Sequence, residues 1–120
     1  MTPEEIAGYA LAKAGAWPDS PWENDQVAKV GPGERGKIFA FLGTDSVGVK
    51  CGPGRDGAAD EWIDRYPGDA SVMAYIGRSG WNTLRLTGAI PEDELREAVD
   101  VSYELVVAKL PRKLRPGGGP

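Results

Sequence analysis

A chain of 120 residues, 41% hydrophobic and 27% charged, has the length and balance of one globular domain. It holds no histidine and one cysteine, which excludes a histidine-based triad, an internal disulfide and a cysteine-only metal cage. The formal net charge of −4 supplies no whole-molecule attraction to nucleic acid or to an anionic membrane, so contact with either needs a local basic patch.

The first residues, Thr2-Pro3-Glu4-Glu5, form a capping box: the Thr2 hydroxyl accepts from the Glu5 N–H, and the Glu5 carboxylate reaches back to the Thr2 N–H. Ile6, Tyr9, Ala10 and Lys13 share one face of the helix that follows, and Gly15 suits its end. In residues 16–24, AWPDSPWEN, the two prolines predict an extended loop. Either its Trp17 and Trp22 both pack over the edge of the core, or one of the rings lines a pocket or stacks on a base. Residues 26–30, 37–42 and 47–51 read as strands, and their short connections predict an antiparallel meander. In the last of them Val47, Val49 and Cys51 alternate with Gly48 and Lys50, which predicts one buried face.

Residues 58–66 predict a helix with Ala59, Trp62, Ile63 and Tyr66 on its apolar side. Residues 72–76 predict a strand, 77–80 a turn, and 81–87 a strand that sets Asn82, Leu84 and Leu86 against Trp81, Thr83 and Arg85. Residues 91–110 predict the longest helix, burying Leu95, Ala98, Val99, Ser102, Val106 and Leu110, with Pro91 in its first position. Glu92, Asp93 and Glu94 complement its positive end, and Lys109 and Arg112 its negative end. The sum is a single α+β domain over residues 1–111: a two-layer sandwich of a five-stranded antiparallel sheet packed against helices, in the order α-β-β-β-α-β-β-α. Residues 112–120 are expected to form a basic, flexible tail. No apolar run approaches the roughly 18 residues of a membrane span and no apolar signal region opens the chain, so a cytoplasmic protein is expected; a monomer is expected as well.

Two glycine-rich stretches imitate phosphate-binding motifs. GPGERGK at 31–37 lacks the Ser or Thr that holds magnesium and leads into a strand, so it reads as a hairpin loop. GPGRDG at 52–57 does run from a strand into a helix, but the sheet around it is antiparallel, whereas dinucleotide folds need parallel units. It reads as a linker requiring positive φ, or as an unspecific anion site on the helix N-terminus assisted by Arg55.

The charges suggest a partition. Acidic residues sit on the helices, at Glu4, Glu5, Asp60, Glu61, Asp64, Glu92, Asp93, Glu94, Glu97 and Glu104, and read as solvated faces. Basic residues sit on the strands and tail: Lys29, Arg35, Lys37, Lys50, Arg55, Arg78 and Arg85, then Lys109, Arg112, Lys113 and Arg115. Such a surface can bind a phosphate backbone or simply balance charge for solubility.

Taken together, PWEN around Trp22, VAKV ahead of the lysine-led KIFAF, WNTLRL, and Ser102-Tyr103-Glu104-Leu105-Val106 leading to KLPRK resemble the MmcQ/YjbR family from about residue 4 to 114. The resemblance implies an antiparallel sheet packed against helices, related to secretion-chaperone-like domains and sometimes described as a double wing. It also implies small, mostly bacterial cytoplasmic proteins that are commonly labelled DNA-binding. Lys29, Lys37, Trp81, Asn82, Ser102 and Tyr103 are the matching positions. Their plain structural reading has Trp81 and Tyr103 sealing the sheet–helix core and the Ser102 hydroxyl bonding within its own helix. GPGERG lengthens the first hairpin relative to the VGGK-like turn of the family. The functional expectation is a non-enzymatic domain without cofactor or metal, contacting DNA through Lys29, Arg35, Lys37, Lys50, Arg55, Arg78, Arg85 and the tail. The alternative is a module for a small molecule or a protein partner, with a hollow lined by Trp17, Trp22, Trp81 and Tyr103.

Overall fold

The computed structural model describes residues 1–23, 25–55 and 57–116. Asn24 of the tryptophan-bearing segment, Asp56 of GPGRDG and residues 117–120 of the tail lie outside the described residues. The elements run α1 (Pro3–Leu11), β1 (Ala16–Trp22), β2 (Asp25–Val30), β3 (Lys37–Leu42), β4 (Ser46–Lys50), α2 (Ala58–Arg65), β5 (Ala70–Val72), β6 (Trp81–Arg85) and α3 (Glu92–Val107). Short 3-10 turns stand at Gly33–Arg35, Gly77–Ser79 and Arg112–Leu114. The Thr2–Glu5 capping box is present in both halves, with N···O distances of 3.1 and 2.9 Å.

The α+β architecture with an antiparallel sheet holds, but the sheet has six strands, ordered β1-β2-β3-β4-β6-β5, instead of five. The order of elements is therefore α-β-β-β-β-α-β-β-α. The extra strand is Ala16–Trp22, expected as a loop because of Pro18 and Pro21. It pairs with β2 alone, at the edge of the sheet, where a missing N–H is tolerated. A second correction concerns residues 72–76: β5 ends at Val72, and the chain then turns, with Tyr75 at φ 65. α3 ends at Val107; Lys109 and Leu110 continue with N–H bonds to the Val106 and Val107 carbonyls, and Pro91 is the N-cap instead of the first helical residue. Of the expected tail, residues 112–114 make a turn and Pro116 lies against Gly15.

α1 and α3 cover one face of the sheet, burying Ile6, Ala10, Leu95, Val99 and Val106 against Ala28, Val30, Phe39, Ala40, Val47, Val49 and Leu84. β4 is buried on both faces, including Gly48 and Lys50, because β3 and β6 flank it and residues 73–76 fold over its far side. Between β2 and β3 the register slips: Ala28 faces Ala40 but Lys29 faces Ile38, so Phe39 is an extra residue. Beyond this bulge β3 and β4 no longer pair; their ladder runs only from Ala40↔Val49 to Leu42↔Val47.

α3 fills the gap through Ser102. Its hydroxyl accepts the Lys50 N–H at 2.8 Å and donates to the Phe39 carbonyl at 2.6 Å, so it bonds across to two strands and not back into its own helix. Because both backbone groups are buried, Ser102→Ala removes the only side-chain partner of each and costs about 2 kcal/mol. We expect a correspondingly lower urea midpoint with an unchanged slope. An unchanged midpoint would mean that the bridge carries no stability.

Candidate functional site

Four of the seven cations named from the sequence are engaged by the fold itself. Lys29 on β2 pairs with Asp19 on β1 at 2.8 Å and lies over the Trp17 ring. Arg85, at the end of β6, reaches Asp45 at 3.2 Å and Asp69 at 4.0 Å. Arg55 turns inward, donating to the Asp60 carboxylate, the Gly77 and Trp81 carbonyls and Asn82 Oδ1 at 2.9 to 3.2 Å. Asn82, fully buried, passes the network on by donating to the Ala59 carbonyl at 2.8 Å. Lys50 is 4% exposed, and its Nζ donates to the Ser79 carbonyl at 2.5 Å. Burial, with the nearby positive charge of Lys109, holds the Lys50 ammonium below the usual lysine range.

Arg35, Lys37 and Arg78 have no acidic partner among the described residues. All three stand at the same end of the sheet. Lys37 opens β3 opposite Val30, the last residue of β2, and Arg78 lies just before Trp81, which opens β6 opposite Lys50. The C-terminal segment arrives at this end as well: Leu110 packs on Gly31, and Leu114 and Pro116 join Trp17 and the β2–β3 loop around a hollow of about 430 Å³. Arg115 folds back to donate to the Leu110 and Ala108 carbonyls at the C-terminal end of α3. Lys109, Arg112 and Lys113 beside it have no acidic partner among the described residues. The opposite end of the sheet collects carboxylates: Asp45 in the β3–β4 turn, Asp69 next to it, and Glu92, Asp93 and Glu94 in the first turn of α3. The unpaired cations therefore collect toward one end of the strands, although carboxylates stand at both ends, with Glu34 beside Arg35 and Asp60 beside Arg55.

The four aromatic residues named from the sequence do not share a pocket. Trp17 donates its indole N–H to the Gly31 carbonyl at 2.7 Å and borders the hollow at the basic end. Tyr103 stands edge-on to Phe39 on the helical face, 5.2 Å between centroids, and donates its hydroxyl to the Ala14 carbonyl. Trp22 and Trp81 lie on the other face, joined through Phe41, which is stacked on Trp22 at 6.4 Å and edge-on to Trp81 at 5.6 Å. Trp81 thus closes the face away from α1 and α3. Sequence reasoning passes over Phe41, Met73, Tyr75 and Ile76, which line a hollow beside Trp22, because the run from Val72 to Ile76 has the look of a strand.

Cys51 is 3% exposed at the edge of a cavity of about 270 Å³ between α2 and α3. Burial pushes its thiol up to about 11, against a smaller downward pull from Asn82 and Arg55. No group of three His, Cys, Asp or Glu residues suited to a metal ion occurs among the described residues.

Comparison with known proteins places this arrangement among relatives. The model of the YjbR family matches residues 11–105. The YjbR protein of Escherichia coli (strain K12) is 26% identical over 96% of this chain and 95% of its own length, and its counterpart in Escherichia coli O157:H7 gives the same values. The crystal structure of Deinococcus radiodurans protein DR2400, a DUF419 domain, matches with a TM-score of 0.79 at 21% identity, over 99% of this chain and 95% of that one. A Pseudomonas syringae protein matches with a TM-score of 0.65 at 18% identity, over 88% and 99% of the two chains. At these identities the likeness to solved structures concerns the fold alone.

The inward-facing groups generate two expectations. Arg55→Ala should lower stability by about 3 kcal/mol in denaturant titrations, and Arg55→Lys should recover little, since one ammonium cannot reach acceptors on three segments. Cys51 should stay inert to a disulfide reagent near neutral pH until denaturant opens the fold; rapid labelling of the native protein would contradict its burial.

Proposed function

This chain belongs to the YjbR family, and from that premise we propose that it is a non-enzymatic domain that binds duplex DNA through its basic end. One observation carries the reading. Arg35, Lys37, Arg78, Lys109, Arg112 and Lys113 lack acidic partners among the described residues and stand toward one end of the sheet, where the β2–β3 loop and the C-terminal segment share a hollow and Arg78 precedes β6 on the far side of β4. The C-terminal end of a helix is itself negative, so Arg115 first neutralises α3 there. The remaining cations are exposed and form no ion pair among the described residues. A phosphate backbone meeting this end gains electrostatic energy and releases condensed counterions, while the acidic end is held away from the polyanion.

Lys29, Lys50, Arg55 and Arg85 leave the interface in this reading, because each is already bonded within the fold. The longer GPGERG loop acquires a role: it carries Arg35 and Lys37 toward the C-terminal segment. Among the described residues no helix is long and apolar enough to cross a membrane. A cytoplasmic setting is part of the same proposal.

Titration of a fluorescently labelled duplex at increasing salt tests it. Affinity is expected to fall linearly on a log–log plot, and the combined Lys37→Gln, Arg112→Gln and Lys113→Gln substitutions should flatten the slope by about 3. Arg85→Gln should leave the slope unchanged. Absence of binding at low salt, or a slope indifferent to the triple substitution, would overturn the proposal.

A further inference from the structure

On the face of the sheet away from α1 and α3, two hollows of about 670 and 100 Å³ share Asp25, Phe41, Met73 and Thr83, and so form one groove. Gly48 shapes its floor. A Cβ there would stand 3.0 Å from the Met73 sulfur and 3.1 Å from Phe41 Cβ, so the missing side chain is what lets Met73 lie down on β4. The walls are Trp22, 54% exposed, and Tyr75, which is fully exposed. Tyr75 also has φ 65, a conformation that a bulky residue rarely adopts. A strained, fully exposed aromatic side chain bordering a largely apolar groove is unlike the scattered apolar residues of an ordinary surface.

Asp25 is the charged residue that lines both portions of the groove. It stands where the apolar and polar portions meet. Its carboxylate has no basic partner among the described residues. Past Asp25 the groove continues between Gln26, Gly43 and Ser46, where the Gln26 amide and the Ser46 hydroxyl suit a peptide backbone.

We propose that this groove docks an extended segment of a partner protein, one that presents a bulky apolar side chain followed by a lysine or arginine. The apolar anchor enters between Trp22 and Tyr75 and rests on Phe41 and Met73, whose unbranched thioether adapts to its shape. The following cation meets Asp25, and the backbone runs on toward Ser46. Asp25 disfavours a polyanion in the groove, whereas the basic end favours one.

Selection of a random peptide library on the immobilised full chain tests the proposal. Selected peptides are expected to converge on an aromatic or large aliphatic residue followed closely by Lys or Arg. A synthetic peptide of that consensus should perturb backbone amide resonances at Trp22, Asp25, Met73, Tyr75 and Thr83. Asp25→Lys should weaken it at least about tenfold, and the Trp22→Ser, Tyr75→Ser pair should abolish binding in a protein that remains folded by circular dichroism and keeps its DNA affinity. No enrichment, an acidic consensus, equal binding to the substituted protein, or resonance shifts that instead report self-association of this chain through the face would each overturn it.

Discussion

Where β3 and β4 part at the Phe39 bulge, the sheet would expose a backbone N–H and a carbonyl to the interior, and the Ser102 hydroxyl meets both. A hydroxyl is the one small group that accepts and donates in a single atom, which is what this gap requires. The bulge also lets Phe39 and Ala40 bury together, and Phe39 then meets the edge of Tyr103 one residue further along α3. The docking of α3 thus rests on a polar bridge surrounded by apolar contacts. That docking in turn decides where Leu110 and the C-terminal cations arrive.

A second constraint governs the use of positive charge. Burying an ammonium or guanidinium is costly unless it is hydrogen-bonded, and the fold meets this condition at Arg55 with four acceptors drawn from α2, the Gly77–Ser79 turn and β6. Asn82 extends the same network to Ala59. In this way the loop that imitates a dinucleotide motif is tied down by its own arginine. Gly80 completes the junction: with φ 91 and its Cα close over the Gly52 carbonyl, it leaves no room for a side chain. The cations left over lie at one end of the sheet, and the long α3, acidic at its first turn, is followed by basic residues.

The two faces of the sheet carry different kinds of packing. Toward α1 and α3 it presents aliphatic side chains in continuous contact. On the other face Trp22, Phe41 and Trp81 form an aromatic chain, and Met73 crosses Gly48 to meet it. The segment after β5 provides this cover in place of a further helix, which is why the face is only partly closed.

The sequence alone was enough to read the capping box of α1, the meander of β2, β3 and β4, the long amphipathic α3 and the family, because each is written in local spacing or in a co-linear set of short motifs. The Lys37–Leu42 strand and the buried face of α3 follow from periodicity that tertiary contacts only reinforce. What periodicity could not supply was pairing. Ala16–Trp22 becomes a strand only because β2 lies open beside it, and the run from Val72 to Ile76 bends because Met73 and Ile76 find apolar surface above β4. Nor does a charged residue in a sequence reveal its partner: Lys29, Arg55 and Arg85 look like Lys37 until the fold brings Asp19, Asp60 and Asp45 beside them. Composition sets how many charges a chain carries, but only three-dimensional proximity decides which are neutralised and which face the solvent.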